Sequence, residues 1–253
     1  MVYSFLLIGQ SNAAGRGYLN EAQPYGDWKK QVRVLRNGRW QKLFRPVNPD
    51  RAFSGVCFAE TFAREFVLAD PEAVVGIIPC ADGGTKLEQW MPGQLLFDNA
   101  VNCAKLAMRT SVLTGILWHQ GESDCAPELY PTYAERFKVM MDALRKELNV
   151  PDIPVLVGGL GDYLPQYEGN ENTKNYIYIN RQLEQLGREY PNCGFVSAEG
   201  LGANPDNLHF NADALVEFGV RYFEAFKAFG MPGVEAAGDQ FAEDLVRTEL
   251  EQL

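Results

Sequence analysis

Histidine is scarce in this chain: 253 residues contain two, His119 and His209. The five cysteines (Cys57, Cys80, Cys103, Cys125 and Cys193) form no CxxC pair. Without clustered His, Cys and carboxylate ligands at metal spacing, neither a metal nor another cofactor is expected. An odd number of scattered cysteines also argues against a disulfide framework and fits a reducing compartment, and the sequence has no N-x-Ser/Thr sequon. Basic residues are outnumbered, 23 against 33 acidic, for a net charge of −10 with no basic run. A nucleic acid would be repelled over most of such a surface. No stretch approaches the length of a membrane span, and the apolar start has neither a basic n-region nor a small-residue cleavage site. The expectation is a cytoplasmic chain with no membrane partner. Internal repeats and low-complexity tracts are also missing.

What is present is a hydrophobic content of 46%, enough for a substantial core in one main domain. Short continuous apolar runs bounded by turn residues occur at 2–8, 32–35, 73–79, 113–118 and 153–158. Strands of a parallel sheet covered on both faces read this way. Helical spacing lies between and after them, at 57–68, 95–109, 133–148, 176–190 and 212–229. The alternation predicts a three-layer α/β/α sandwich around a mostly parallel five-stranded sheet. Binding crevices in such sheets open beyond the carboxyl ends of the strands, where Gly9–Gly15, Cys80–Thr85 and His119–Asp124 fall. Gly230-Met231-Pro232-Gly233 ends the last helix. The main domain is therefore expected over 1–230, and an acidic extension over 231–253, whose Phe241, Leu245, Val246 and Leu250 have helical spacing. That extension is expected to dock, either on its own domain or on a second subunit as a homo-oligomer contact.

Asp206-Asn207-Leu208-His209 places a carboxylate three residues before a rare histidine, in a loop rich in Gly, Asn, Asp and Pro. The Asp206 carboxylate can reach Nδ1 of His209 and leave Nε2 free to face a nucleophile. Ser11, in the turn after the first strand, is the candidate. Ser11 equally suits an N-cap or a turn, and Asp206 or Asn207 could cap the helix near Ala212. The third element, Trp118-His119-Gln120-Gly121-Glu122-Ser123-Asp124, gathers hydrogen-bonding groups at a strand end. Gln120, with the N–H groups of Ser11 and a glycine such as Gly55, could donate to an oxyanion. Glu122 either buttresses the turn or stands as a second carboxylate behind His209, while His119 reads as structural. Arg16, close to Ser11, either anchors an anionic substrate or makes a structural ion pair. Trp90 and Tyr163 either stack on a sugar or pack in the core. Gly83-Gly84-Thr85 lacks the phosphate-binding patterns, and Cys80 reads as a small core residue.

Taken in order, Gly9-Gln10-Ser11-Asn12, Gly55 ahead of Phe58-Ala59-Glu60, Ile78-Pro79 leading to Gly83-Gly84-Thr85, Trp118-His119-Gln120-Gly121-Glu122-Ser123 and Asp206-Asn207-Leu208-His209 resemble the blocks of the SGNH hydrolase superfamily. Within it they are most similar to the sialate O-acetylesterase-like group and carbohydrate esterase family 6, which includes acetylxylan esterases. The resemblance spans the chain to about residue 229. It implies a flavodoxin-like fold, a serine esterase that needs no metal, and an acetylated carbohydrate as partner: xylan, a simple sugar or sialic acid. Ser11 would be the nucleophile, His209 the base and Asp206 its orienting acid, with Ser11, Gly55 and Gln120 as the oxyanion hole. Gln120 replaces the superfamily's asparagine. The rival readings are a broader short-chain esterase or thioesterase on the same machinery, and a non-catalytic carbohydrate-binding relative.

Overall fold

The first apolar run becomes β1 (Val2–Gly9), buried along its whole length. A computed structural model describes residues 1–231 of the chain. The other strands are β2 (Val32–Arg36), β3 (Arg39–Lys42), β4 (Val74–Pro79), β5 (Val112–His119), β6 (Val155–Gly158) and β7 (Cys193–Val196). They form one sheet in the order β3-β2-β4-β1-β5-β6-β7. Every neighbouring pair is parallel except the antiparallel β2–β3. Strands paired on both edges and covered on both faces need apolar side chains throughout, which is why β1, β4 and β5 are legible as continuous runs.

The sheet therefore has seven strands rather than the expected five. Both additions are edge strands. In β3 only Trp40 of Arg-Trp-Gln-Lys is buried, and charged side chains are the usual dress of an exposed edge. In β7 the four residues Cys-Gly-Phe-Val include a glycine and are too short to stand out. A hairpin signal was nevertheless present. Asn37 and Gly38, between β2 and β3, have φ of 50° and 78°, the conformation that makes Asn-Gly a tight hairpin turn.

The helices are α1 (Ser11–Ala14), α2 (Phe58–Ala69), α3 (Leu95–Ala107), α4 (Tyr133–Leu148), α5 (Tyr176–Glu189) and α6 (Ala212–Lys227). The five longer ones match the five expected helices to within two residues at each end. On one face of the sheet α2 packs against α6. Phe5 of β1 there meets Phe62, Phe226 and Phe66 at ring distances of 4.7, 5.2 and 5.5 Å. On the other face α3, α4 and α5 lie side by side. Strand alternation at the end of β5 serves both layers: Trp118 meets Phe137 of α4 at 5.5 Å, while His119 meets Phe218 of α6 at 5.6 Å. The sandwich is thus the three-layer α/β/α arrangement expected, of flavodoxin-like type. All five cysteines are free. Among the described residues no helix is long and apolar enough to cross a membrane. The C-terminal extension, apart from its first residue Met231, lies outside the described residues.

Candidate active site

β1 ends beside β5, and the two strands close on each other at Gly9. A Cβ at this position would stand 2.0 Å from the His119 carbonyl oxygen, and φ is +127°. Only glycine fits such a close approach at positive φ. The chain then turns, fixed by the bond from Gln10 N–H to His119 O at 2.9 Å, and α1 begins with Ser11 at the carboxyl edge of the sheet. Far along the sequence, the loop before α6 returns to the same edge. Asp206 Oδ1 accepts the N–H groups of Leu208 and His209 at 2.9 and 3.0 Å, folding the loop tightly around the carboxylate.

These two segments bring the three expected side chains together. His209 Nε2 lies 3.0 Å from Ser11 Oγ, and Asp206 Oδ2 lies 2.7 Å from His209 Nδ1. An acceptor at Nδ1 places the proton there and leaves the Nε2 lone pair toward the serine. Burial raises the Asp206 carboxyl's pKa, but the Leu208 N–H, the His209 ring and the His209 N–H outweigh it and hold the group below its ordinary value. Asp206 is thus charged wherever the imidazole needs a partner.

Asn12, next to the serine, spans the gap between segments. Its Nδ2 donates to Leu208 O at 3.2 Å and its Oδ1 accepts Phe210 N–H at 3.1 Å, so it grips the backbone on either side of His209. The same Nδ2 donates to Glu122 Oε1 at 2.6 Å. Glu122 therefore supports Asn12 and does not stand behind His209. Its nearer histidine is His119, whose Nδ1 is 3.8 Å away. His119 is fully buried and bonds Gly159 O through Nε2 at 3.0 Å. Burial lowers its pKa, against the pull of Glu122, and it serves as a structural residue, as expected.

Two of the expected oxyanion donors are elsewhere engaged. Gln120 is wholly buried, and its Nε2 donates to Asp124 Oδ2, Thr85 O and Gln10 Oε1 at 2.7, 3.0 and 3.2 Å. Its two N–H groups are consumed in the core beneath the site. The Gly55 N–H donates to Gly15 O at 3.0 Å, and a Cβ at Gly55 would stand 1.9 Å from Gly17 O. That glycine serves the close packing of two loops. The glycine beside the serine is Gly83, whose added Cβ would lie 3.4 Å from Ser11 Cβ.

Gln10 lies next to Gln120 in this network. Its Oε1 accepts Gln120 Nε2 at 3.2 Å and Ser123 N–H at 3.4 Å, which fixes the orientation of the amide. Its Nε2 has no partner among the described residues, and the residue lines the same cavity as Ser11. The Ser11 N–H, at the start of α1, is likewise without a backbone acceptor there. Nothing in the sequence sets Gln10 apart from the turn that carries Ser11.

The cavity itself measures about 340 Å³, within the ~300–1,000 Å³ usual for small-molecule sites. Arg16 is in its wall, but the guanidinium grips Asp50 through two bonds of 3.0 and 2.7 Å and is 4% exposed. Of the two alternatives for Arg16, the structural ion pair is the one formed. Trp90 is 1% exposed and bonded to Thr85 Oγ1, in the core against Trp118, so it does not meet the cavity. Tyr163 is also buried, with its ring against Phe210. The aromatic side chains that do reach the cavity are Phe53 and Tyr167. Neither lies in a motif, although a phenylalanine inside the polar stretch Asp50-Arg51-Ala52-Phe53-Ser54 is a signal of an exposed apolar group. Among the described residues no group of three or more His, Cys, Asp or Glu is gathered to hold a metal ion.

Residues 2–228 match the model of the family described as carbohydrate esterase, sialic acid-specific acetylesterase. The chain belongs to this family. Its members are carbohydrate acetylesterases, and the protein is accordingly a carboxylic ester hydrolase. It is 28% identical over 244 residues to a probable carbohydrate esterase of Arabidopsis thaliana, a match covering 88% of this chain and 89% of that one. A crystal structure from Arabidopsis thaliana superposes with a TM-score of 0.78 at 26% identity, covering 89% of this chain and 98% of the other. The structure of NanS superposes with a TM-score of 0.71 at 19% identity, covering 90% and 97%, which speaks to the shared fold.

Proposed function

We propose that this carbohydrate esterase removes O-acetyl groups from a sugar through an acetyl-enzyme on Ser11. The hydrogen-bonded chain from Ser11 through His209 to Asp206 carries the reading. His209 Nε2 takes the Ser11 proton as Oγ attacks the acetyl carbonyl, and the tetrahedral intermediate forms. The imidazolium, balanced by Asp206, then gives that proton to the departing sugar oxygen as the ester bond breaks. In the second half, His209 takes a proton from water, the hydroxide adds to the acetyl-serine, and acetate leaves as Ser11 recovers its proton.

The developing oxyanion needs donors at the cavity, and Gln10 Nε2 and the Ser11 N–H are the groups proposed. Both are held by the fold before substrate arrives, so little reorganisation opposes the reaction. Glu122 and Asn12 are positioning residues that keep the His209 loop against α1.

Acetate release from an acetylated sugar is the direct test. Ser11→Ala and His209→Ala should each remove most turnover while circular dichroism remains that of the folded protein. Near wild-type turnover in either variant would overturn the assignment.

A further inference from the structure

The charges around the cavity are already spoken for, and its uncharged groups are not. Arg16 is bound to Asp50. Arg51, the other cation in the wall, places Nη2 2.8 Å from Asp82 Oδ1 and donates to Gly83 O and Asp50 O. The two cations therefore face two carboxylates. Glu122 adds a further negative group, with Oε2 buried and unpartnered, and Asp206 neutralises any charge that His209 acquires. Among the described residues no unmatched cation lines the cavity, and the chain as a whole carries −10. A carboxylate entering here would lose its hydration and find no unpaired cation to replace it.

Uncharged hydrogen-bonding groups are, by contrast, available. The Tyr167 hydroxyl, the Asn170 Nδ2 and the Ser123 hydroxyl have no partner among the described residues, and all three residues line the cavity. They suit the hydroxyls of a sugar. Phe53 completes the site: it is 70% exposed at the rim, with the Arg16 guanidinium carbon 5.2 Å from its ring centroid. An exposed phenyl ring at a cavity mouth offers an apolar surface for the C–H face of a pyranose.

We infer that the site selects an uncharged acetylated sugar, seated on Phe53, over a sugar that carries a carboxylate. The inference rests on the proposed deacetylation by Ser11 and narrows its substrate class.

The test uses the purified full chain and acetate release from four esters: a neutral mono-O-acetyl hexoside, O-acetyl sialic acid, the same sialic acid with its carboxylate converted to a carboxamide, and ethyl acetate. The hexoside should exceed the free acid in kcat/KM by about tenfold or more, and the carboxamide should recover most of that gap. An acid turned over as well as its carboxamide overturns the inference. Phe53→Ala should lower kcat/KM for the hexoside about tenfold more than for ethyl acetate, chiefly through KM, and Phe53→Trp should restore it. Equal losses on both esters would remove Phe53 from the site. Ser11→Ala separates the two levels: if no ester releases acetate, or if release survives Ser11→Ala, the deacetylase reading falls and takes this inference with it. Ser11-dependent acetate release with a preference for the acid overturns the inference alone.

Discussion

Asn12 and Glu122 meet at 2.6 Å in the core behind the serine, and through Asn12 the contact reaches the backbone on both sides of His209. Asp206, by contrast, touches the imidazole itself at 2.7 Å. The two carboxylates therefore have separable roles. Asp206→Asn should reduce kcat by about 10⁴-fold, because an amide cannot hold the tautomer and stabilise the imidazolium. Glu122→Gln keeps an oxygen to accept from Asn12 and should lose less than about tenfold. Comparing kcat of the two variants on one acetyl ester checks the assignment, and a larger loss in Glu122→Gln would reverse it.

Sequence made the relay legible because its parts are chemically rare. A histidine that is one of two, with a carboxylate three residues before it, and a serine at the end of a buried strand stand out without coordinates. The donors at the oxyanion were harder to read. Gln120 and Gly55 belong to recognisable motifs, yet whether an amide or a peptide N–H is free depends on partners such as Asp124 and Gly15 that only the fold assembles. The two readings of Trp90 stayed open for a similar reason, since only the fold turns this tryptophan near a crevice loop inward to Trp118. The edge strands β3 and β7 escaped because half-exposed strands need no continuous apolar run.

Asp50 couples the cavity wall to acid stability. Burial raises the pKa of its carboxyl, but Arg16, then Ser54 and the Gly83 N–H, outweigh it and leave the group below its ordinary value. A carboxyl depressed in the folded state stabilises the fold fully above its unfolded value, roughly 3.9, and that stability is lost as pH falls through the folded value. Asp50→Asn also strands the buried Arg16, at a cost of about 3 kcal/mol near neutrality. Urea midpoints at pH 7 and pH 3 should show a large gap between wild type and variant that narrows in acid. A gap that widens in acid would mean that the pair does not hold Asp50 ionised.

Cysteine chemistry offers a test of the packing on the α3 side. The Cys103 thiol is brought down to about 7 by its hydrogen bond with Cys80, against the opposing effect of burial. Burial pushes the Cys193 thiol up to about 12, and raises those of Cys57 and Cys125. Thiolate is the reactive form, so iodoacetamide at pH 8 should label Cys103 first, with a rate that rises through about pH 7. Mass spectrometry of peptides after short labelling checks the order. Faster labelling of Cys193 would contradict the burial of β7.

The proposed oxyanion donor makes the sharpest demand on the site. Gln10 Nε2 contributes to catalysis only if its interaction strengthens as the carbonyl oxygen gains charge, so its loss should appear in kcat and leave KM nearly constant. Gln10→Ala should lower kcat by about 10²-fold to 10³-fold. Gln10→Glu keeps the acceptor that Gln120 and Ser123 use but sets a carboxylate against the developing charge, so it should fall further than alanine. Gln120→Ala, which empties a buried bonded position, should instead lower the melting temperature, since Asp124 and Tyr133 lose a partner. Steady-state kinetics paired with thermal unfolding separates the two glutamines. If Gln10→Ala kept wild-type kcat, the donor would have to be sought among the backbone N–H groups of Ser11 and Gly84, since that of Gly83 is bonded to Asp50 Oδ2.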